Sequence, residues 1–283
     1  MIVTITPNLA LDVTYELPEL RPGRTNRVHA VHARAGGKGV NVARVLRSLG
    51  HDVLVLGLVG GPTGEAVRAD LDAAGLPHDL APCAEETRRT VTVVAGDEAT
   101  LLGEPGPVVT AEEWAALEAR IPDADVLVVS GSLPPGVDAG AIARLAARDV
   151  PVIVDTSGEA LRRAAPHAWV VKPNAEELAA VTGTDDPVAG ARMLRARTAV
   201  VSLGADGLLA VTADEVYRVP SPQVVAGNPT GAGDAVVAAL AAGAGSPWPE
   251  LLGEAAALAA ATVLAPVAGS YDTTAYEDLR TRS

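Results

Sequence analysis

The run Asp125-Val126-Leu127-Val128-Val129-Ser130 leads into Gly131-Ser132-Leu133-Pro134-Pro135-Gly136 and, further on, to Val150-Pro151-Val152-Ile153-Val154-Asp155. Its reading decides the fold. Asp125 to Val129 and Val150 to Val154 are apolar in nearly continuous runs, without the alternation of a half-solvated strand, so each reads as a strand covered on both faces. Asp138 to Arg148 between them reads as a helix. Strand, helix and strand in that order make a parallel pair, because a parallel return needs a crossover long enough to hold a helix. Each strand also delivers a polar residue, Ser130 or Asp155, at its carboxyl end.

The same alternation extends in both directions. Val53 to Val59, Trp169 to Val171 and Ala199 to Ser202 read as further buried strands. Helices are expected downstream of Asn41 up to Gly50, over Gly64 to Ala74, over Ala111 to Ile121 behind Thr110 as N-cap, after Asn174, and over Val236 to Ala244. Leu208 to Val211 and Glu215 to Val219 read as a hairpin. The expected fold is α/β: a three-layer sandwich around a doubly wound, mainly parallel sheet. In such sheets ligands bind outside the carboxyl ends of the strands, where Asp155, Lys172, Asn174 and Gly204 collect. The early pieces, Met1 to Thr6, the stretch reaching Glu16 and Val28 to Ala33, are less apolar and fit an exposed sheet better than a central one. With Arg88 to Ala95 and Thr100 to Leu102, hairpinned around Gly96-Asp97, they suggest a small β insertion. The expectation is one domain over residues 1–283 carrying a β lid built from roughly 10–34 and 87–105.

Composition narrows the function. Of 283 residues 48% are hydrophobic, which is ample for a large core, but Phe is absent and aromatics make up 2%, so base-stacking platforms are not expected. The net charge of −13 has the wrong sign for a nucleic-acid backbone binder. Cys83 is the only cysteine, which excludes an intrachain disulfide and a Cys-based zinc site. The first residues lack the basic start of a signal peptide. The apolar run Ala255 to Leu264 is far short of the roughly 20 residues a membrane span needs. A cytoplasmic chain without membrane or nucleic-acid partners is the expectation.

Gly227-Asn228-Pro229-Thr230-Gly231-Ala232-Gly233-Asp234 lies between a strand and an Ala-rich helix. Glycines that let successive N–H groups converge, followed by a helix N-terminus with its positive dipole end, make an anion site. Asp234 there is either the helix cap or a base for a hydroxyl that attacks a phosphoryl group. Gly36-Gly37-Lys38-Gly39 with Asn41 is a second glycine-rich helix start. It is not a Walker A loop, since Gly39 stands where Ser or Thr would hold magnesium.

These stretches occur in one order with Thr6-Pro7-Asn8, Asp12, Asp155-Thr156-Ser157-Gly158, Lys172-Pro173-Asn174 and Ser202-Leu203-Gly204. Together they resemble the PfkB carbohydrate kinases of the ribokinase superfamily along nearly the whole chain, and most closely the 1-phosphofructokinase and tagatose-6-phosphate kinase branch. The resemblance implies a ribokinase-like fold and an ATP-dependent kinase of a ketohexose phosphate. It implies Asp234 as base, with the backbone of Gly231, Ala232 and Gly233 holding the transferring phosphoryl group. Asp12, Arg27, Gly37, Lys38, Asn41, Arg88 and Ser130 would bind the sugar phosphate, Arg27 and Arg88 through its existing phosphate. Lys172, Asn174, Glu177, Ser202, Gly204, Gly207 and Thr230 would face the nucleotide, with Asn174 and Glu177 organising Mg2+ through water. A homodimer joined through the lid is also implied.

Arg88 and Arg89 are strand neighbours and face opposite ways, so either could turn inward. Thr100-Leu101-Leu102-Gly103 stands where close relatives commonly show Thr-Glu-x-Asn. Fructose 6-phosphate, fructose 1-phosphate and tagatose 6-phosphate therefore all remain open. A kinase of an unphosphorylated sugar or nucleoside, and a sugar-phosphate sensor without turnover, remain as alternatives.

Overall fold

A computed structural model describes residues 1–96, 98–222, 227–265 and 267–281. Asp97 of the expected Gly96-Asp97 turn lies outside the described residues. Nine strands form the large sheet: β1 (Ile2–Thr6), β4 (Val53–Val59), β5 (His78–Pro82), β8 (Val126–Ser130), β9 (Val152–Asp155), β10 (Val170–Val171), β11 (Thr198–Ser202), β12 (Leu208–Thr212) and β13 (Val216–Val219). Their order is β13-β12-β11-β10-β9-β8-β1-β4-β5. The pairs from β5 to β11 are parallel, and β12 and β13 add an antiparallel edge.

Two cores cover the sheet, one on each face. One is built from α1 (Lys38–Ser48), α2 (Gly61–Ala73), α8 (Ala232–Ala242), α9 (Trp248–Val263) and α10 (Thr273–Arg280). The other takes α3 (Ala111–Glu118), α4 (Gly140–Ala146), α5 (Gly158–Ala164), α6 (Ala175–Thr182) and α7 (Pro187–Met193). Helix α8 is hydrophobic nearly all round and buried accordingly. Its Val236, Val237 and Leu240 each contribute about 1.5–3 kcal/mol by leaving water.

Strand β1 corrects the expectation of an exposed position. It lies in the middle of the large sheet between β8 and β4, and all five of its residues are buried. Thr4 and Thr6 make it look half-polar in sequence, but both pack into the interior.

The small sheet has the order β3-β2-β6-β7, from β2 (Ala10–Leu17), β3 (Ala30–Gly36), β6 (Arg88–Ala95) and β7 (Glu98–Gly103). Strands β2 and β6 run parallel, and the outer pairs are antiparallel. The register puts Arg34, Asp12, Thr90 and Gly103 in one cross-strand row, with His32, Thr14, Thr92 and Leu101 in the next row on the same face. Strand β3 begins two residues later than expected and runs into the glycines. Arg27 lies before it, exposed in the β2–β3 connection.

Candidate active site

The carboxyl ends of β1, β8, β9 and β10 meet the N-termini of α1 and α8. Gly231 caps α8 at φ 90°, a left-handed conformation that glycine adopts at little cost. The cap reading of Asp234 therefore fails: it is the third residue of the helix, 6% exposed, and its Oδ2 accepts a 2.9 Å hydrogen bond from Asn41 Nδ2. Burial, reinforced by the negative charge of Asp155, lifts its pKa from 3.8 to about 7, against Asn41, Lys38 and Lys172, which pull it down. Ala232 N–H is turned to the Pro229 carbonyl at 3.2 Å. Among the described residues, the N–H groups of Gly231 and Gly233 have no acceptor. Thr230 N–H is held by Asn228 Oδ1 at 3.0 Å.

Asp155, 1% exposed, organises the positive charge. Its Oδ1 lies 3.2 Å from Lys38 Nζ and 3.6 Å from Lys172 Nζ, and its Oδ2 accepts from the Ser130 hydroxyl at 3.1 Å. Burial alone would lower the Lys38 pKa, but Asp155, Glu177 and Asp234 outweigh it and hold the ammonium above its usual value. Lys172 points at the start of α8: a Cβ built on Gly233 would sit 3.4 Å from its Nζ. Ammonium and helix N-terminus thus converge where an anion would lie.

Asp12 faces this centre from the small sheet. Its carboxylate fills the space a side chain on Gly36 would need, since a Cβ there would lie 2.0 Å from Asp12 Oδ2. A Cβ on Gly39 would likewise meet Thr6 Oγ1 at 2.4 Å. The glycines of the α1 leader are therefore set by close approach. Gly37, at φ 99°, caps the helix. Burial raises the pKa of Asp12, opposed by Arg88, Arg34, the Thr90 hydroxyl and the Gly37 amide.

The structure resolves the arginine pair. Arg88 turns to the Asp12 side, with Nε donating to Asn8 O at 3.1 Å and Nη1 to Thr90 Oγ1 and Glu104 O, both at 3.3 Å. Arg89 turns away to Thr63 and Glu86. Arg27 is exposed in the β2–β3 connection and makes no hydrogen bond or ion pair to any described residue.

On the other flank Asn174 caps α6 in a reciprocal box. Asn174 Oδ1 accepts from Glu177 N at 2.7 Å, and Glu177 Oε2 from Asn174 N at 2.9 Å. Glu177 Oε1 lies 3.8 Å from Lys38 Nζ. An isolated bridge sets Asn174 beside Ser202, the last residue of β11. Gly204 lies in the short turn that follows, and Gly207 closes it where a Cβ would be 2.1 Å from the Val219 carbonyl. Among the described residues no three His, Cys, Asp or Glu side chains cluster as a metal cage. The donor set suits an ion that keeps its waters and binds through phosphate oxygens, as Mg2+ does, so the site fits that group without dedicated ligands.

Two groups escaped the sequence reading as site residues. Asp155 was visible in its motif, but its role as shared counter-ion needed the three-dimensional meeting of β9 with Lys38 and Lys172. Arg34 lies two residues before Gly36 on β3, and extending that strand to the glycines would have put it on the face of Asp12.

Ribokinase from Thermotoga maritima superposes with a TM-score of 0.76 over 99% of each chain at 20% identity, so the fold is ribokinase-like. The model of the pfkB family carbohydrate kinases matches residues 6–274, and the chain belongs to that family. A curated relative, 1-phosphofructokinase of Haloferax volcanii, is 41% identical over 84% of this chain and 82% of its own. Phosphofructokinase-2 of Escherichia coli, solved in complex with fructose-6-phosphate, has a TM-score of 0.91 at 29% identity over 99% of this chain and 98% of that one. Among the described residues no helix is long and apolar enough to cross a membrane.

Proposed function

We propose that the protein transfers the γ-phosphoryl group of ATP to a free hydroxyl of a ketohexose phosphate, with Asp234 as the general base. The observation that carries this reading is a buried carboxylate with a pKa near 7, fixed by Asn41 one turn inside a helix at whose start the N–H groups of Gly231 and Gly233 lack acceptors. A base poised near the operating pH accepts the hydroxyl proton as the new O–P bond forms. The N–H groups of Gly231 and Gly233, with Lys172, neutralise charge on the transferring group. The Ala232 N–H, already bonded to Pro229, stands outside that set.

Asp12 accepts hydrogen bonds from sugar hydroxyls, while Gly37 and Asn41 line the sugar and Lys38 faces the incoming phosphate. Arg88 clasps the phosphate already on the sugar, and Ser130 supports the site by holding Asp155. Ser202, Gly204, Gly207 and Thr230 border the nucleotide. Asn174 and Glu177 would hold Mg2+ through water, and the ion would supply charge neutralisation on the ATP phosphates. The compartment that fits is the cytoplasm, and the small sheet acts as a lid through which two copies pair.

The support from relatives is the 1-phosphofructokinase name of the Haloferax protein and the fructose-6-phosphate of the Escherichia complex. An ADP-release assay with ATP, Mg2+ and a panel of fructose 1-phosphate, fructose 6-phosphate, tagatose 6-phosphate and fructose tests the reading. Turnover of at least one phosphorylated sugar, with kcat/KM well above that for fructose, is expected. Turnover of none refutes the kinase reading, and preference for fructose refutes the phosphosugar one.

A further inference from the structure

Arg34 is half-buried on β3, directly across from Asp12, and its row faces the site. Among the described residues its guanidinium has no hydrogen bond and no ion pair within 4.0 Å. Of the two nearby carboxylates, Asp70 is already engaged. Asp70 Oδ2 takes Arg44 Nη2 at 2.5 Å and Ala35 N–H at 2.9 Å. Asp12 lies directly across the strand pair, and the Thr90 hydroxyl and the Gly37 amide favour its charged form. Burial, with repulsion from Arg44, depresses the Arg34 pKa against the pull of Asp12 and Asp70. A planar cation with five donors is thus held partly out of water with its donors unused.

Its reach is informative. A Cβ built on Gly269 would lie 3.2 Å from Arg34 Nη2 and 3.1 Å from Asn41 Oδ1, the buried amide oxygen that has no partner. Arg34 therefore extends from the small sheet to the wall formed by α1 and the segment after α9, near the residue that holds the base. On the other side of Asp12, Arg88 is anchored through Nε and Nη1, which leaves Nη2 free. Two guanidinium groups around one carboxylate leave a net positive charge. A phosphate dianion, which takes paired N–H donors from a guanidinium fork, satisfies that arrangement, and a neutral sugar hydroxyl does not.

We propose that Arg34 is a substrate-specificity residue that, together with Arg88, clasps the phosphate of a phosphorylated sugar across Asp12. The inference rests on the phosphosugar-kinase reading and deepens it. The competing role for Arg34 is plain neutralisation of Asp12, which would serve phosphorylated and unphosphorylated sugars alike.

The test is steady-state kinetics of wild type, Arg34→Gln and Arg34→Lys with the same four sugars at saturating ATP, with thermal melts to verify folding. A lost charge-assisted contact corresponds to about 10- to 150-fold. The ratio of kcat/KM for the phosphosugar to that for fructose should fall by about that factor in Arg34→Gln. Arg34→Lys should recover part of it, and KM for ATP should not move. A parallel fall for fructose and phosphosugar, or an unchanged ratio in a folded variant, overturns the clasp. If Arg34→Gln fails to fold, the ratio in Arg34→Lys decides, and wild-type discrimination there overturns it. Absence of wild-type turnover on every phosphosugar would instead bring down the functional reading beneath it.

Discussion

Replacing Asp234 by Asn separates what the carboxylate costs from what it does. Its pKa is raised from 3.8 to about 7 by burial and by Asp155. Below pH 3.8 it is neutral in folded and unfolded chains alike. Between 3.8 and about 7 the folded protein keeps a proton that the unfolded chain has released, so this group's contribution to stability is progressively lost as pH rises. Above about 7 the full penalty of holding the anion applies, about 4 kcal/mol at about 1.36 kcal/mol per pH unit. Asn has a similar shape, can accept the Asn41 hydrogen bond through its amide oxygen, and never ionises. Asp234→Asn should therefore be more stable than wild type by up to about 4 kcal/mol at pH 8, with the gap closing towards pH 4. Urea titrations at pH 5, 6, 7 and 8 read this directly. The same variant should lose about 10²- to 10⁴-fold in kcat while still binding nucleotide, and wild-type kcat/KM should fall about tenfold per pH unit below 7. A stability difference independent of pH would refute the burial argument. Near-normal turnover would refute the base.

Three further outcomes are expected. Gly36→Ala puts a methyl group where the Asp12 carboxylate lies; KM for the sugar should rise at least about tenfold while the fold survives, and an unchanged KM would show that Asp12 does not bind sugar. Asp155→Asn leaves Lys172 buried without its counter-charge and should cost about 3–5 kcal/mol. It should also move the acid limb of the kcat/KM profile to lower pH, because Asp155 raises the Asp234 pKa; a limb that stays in place would count against their coupling. Leu101, 63% exposed on the small sheet, should lie in a contact between copies, so light scattering should report a dimer that Leu101→Lys weakens. A concentration-independent monomer would remove the lid pairing.

Much of the large sheet was legible because its strands are short, wholly apolar and punctuated by polar ends. What failed did so for local reasons. Strand β5 has only Leu80 and Ala81 as apolar residues between His78 and Pro82, since it is an edge strand. Strand β1 was misjudged because two threonines in five residues imitate alternation, although parallel neighbours on both sides bury them. Helices α5, α7 and α10 went unread, whereas α3 and α6, eight residues each, were found through their caps Thr110 and Asn174. In the site, glycine-rich helix starts and a lone carboxylate announced themselves. Asp155 and Arg34 did not, because their meaning lies in which partners are engaged and which are missing.

The central position of β1 bears on how the chain is assembled. A strand that precedes both of its partners in the chain becomes the middle of the sheet, and Ile2 pairs with Val53 on one side and Val126 on the other. On a ribosome adding about 5–20 residues per second, β1 would wait several seconds to tens of seconds for β8. Until then the edge of β1 that β8 will take stays open, in an incomplete β5-β4-β1 ribbon. That interval is when the nascent chain is most exposed to edge-to-edge aggregation.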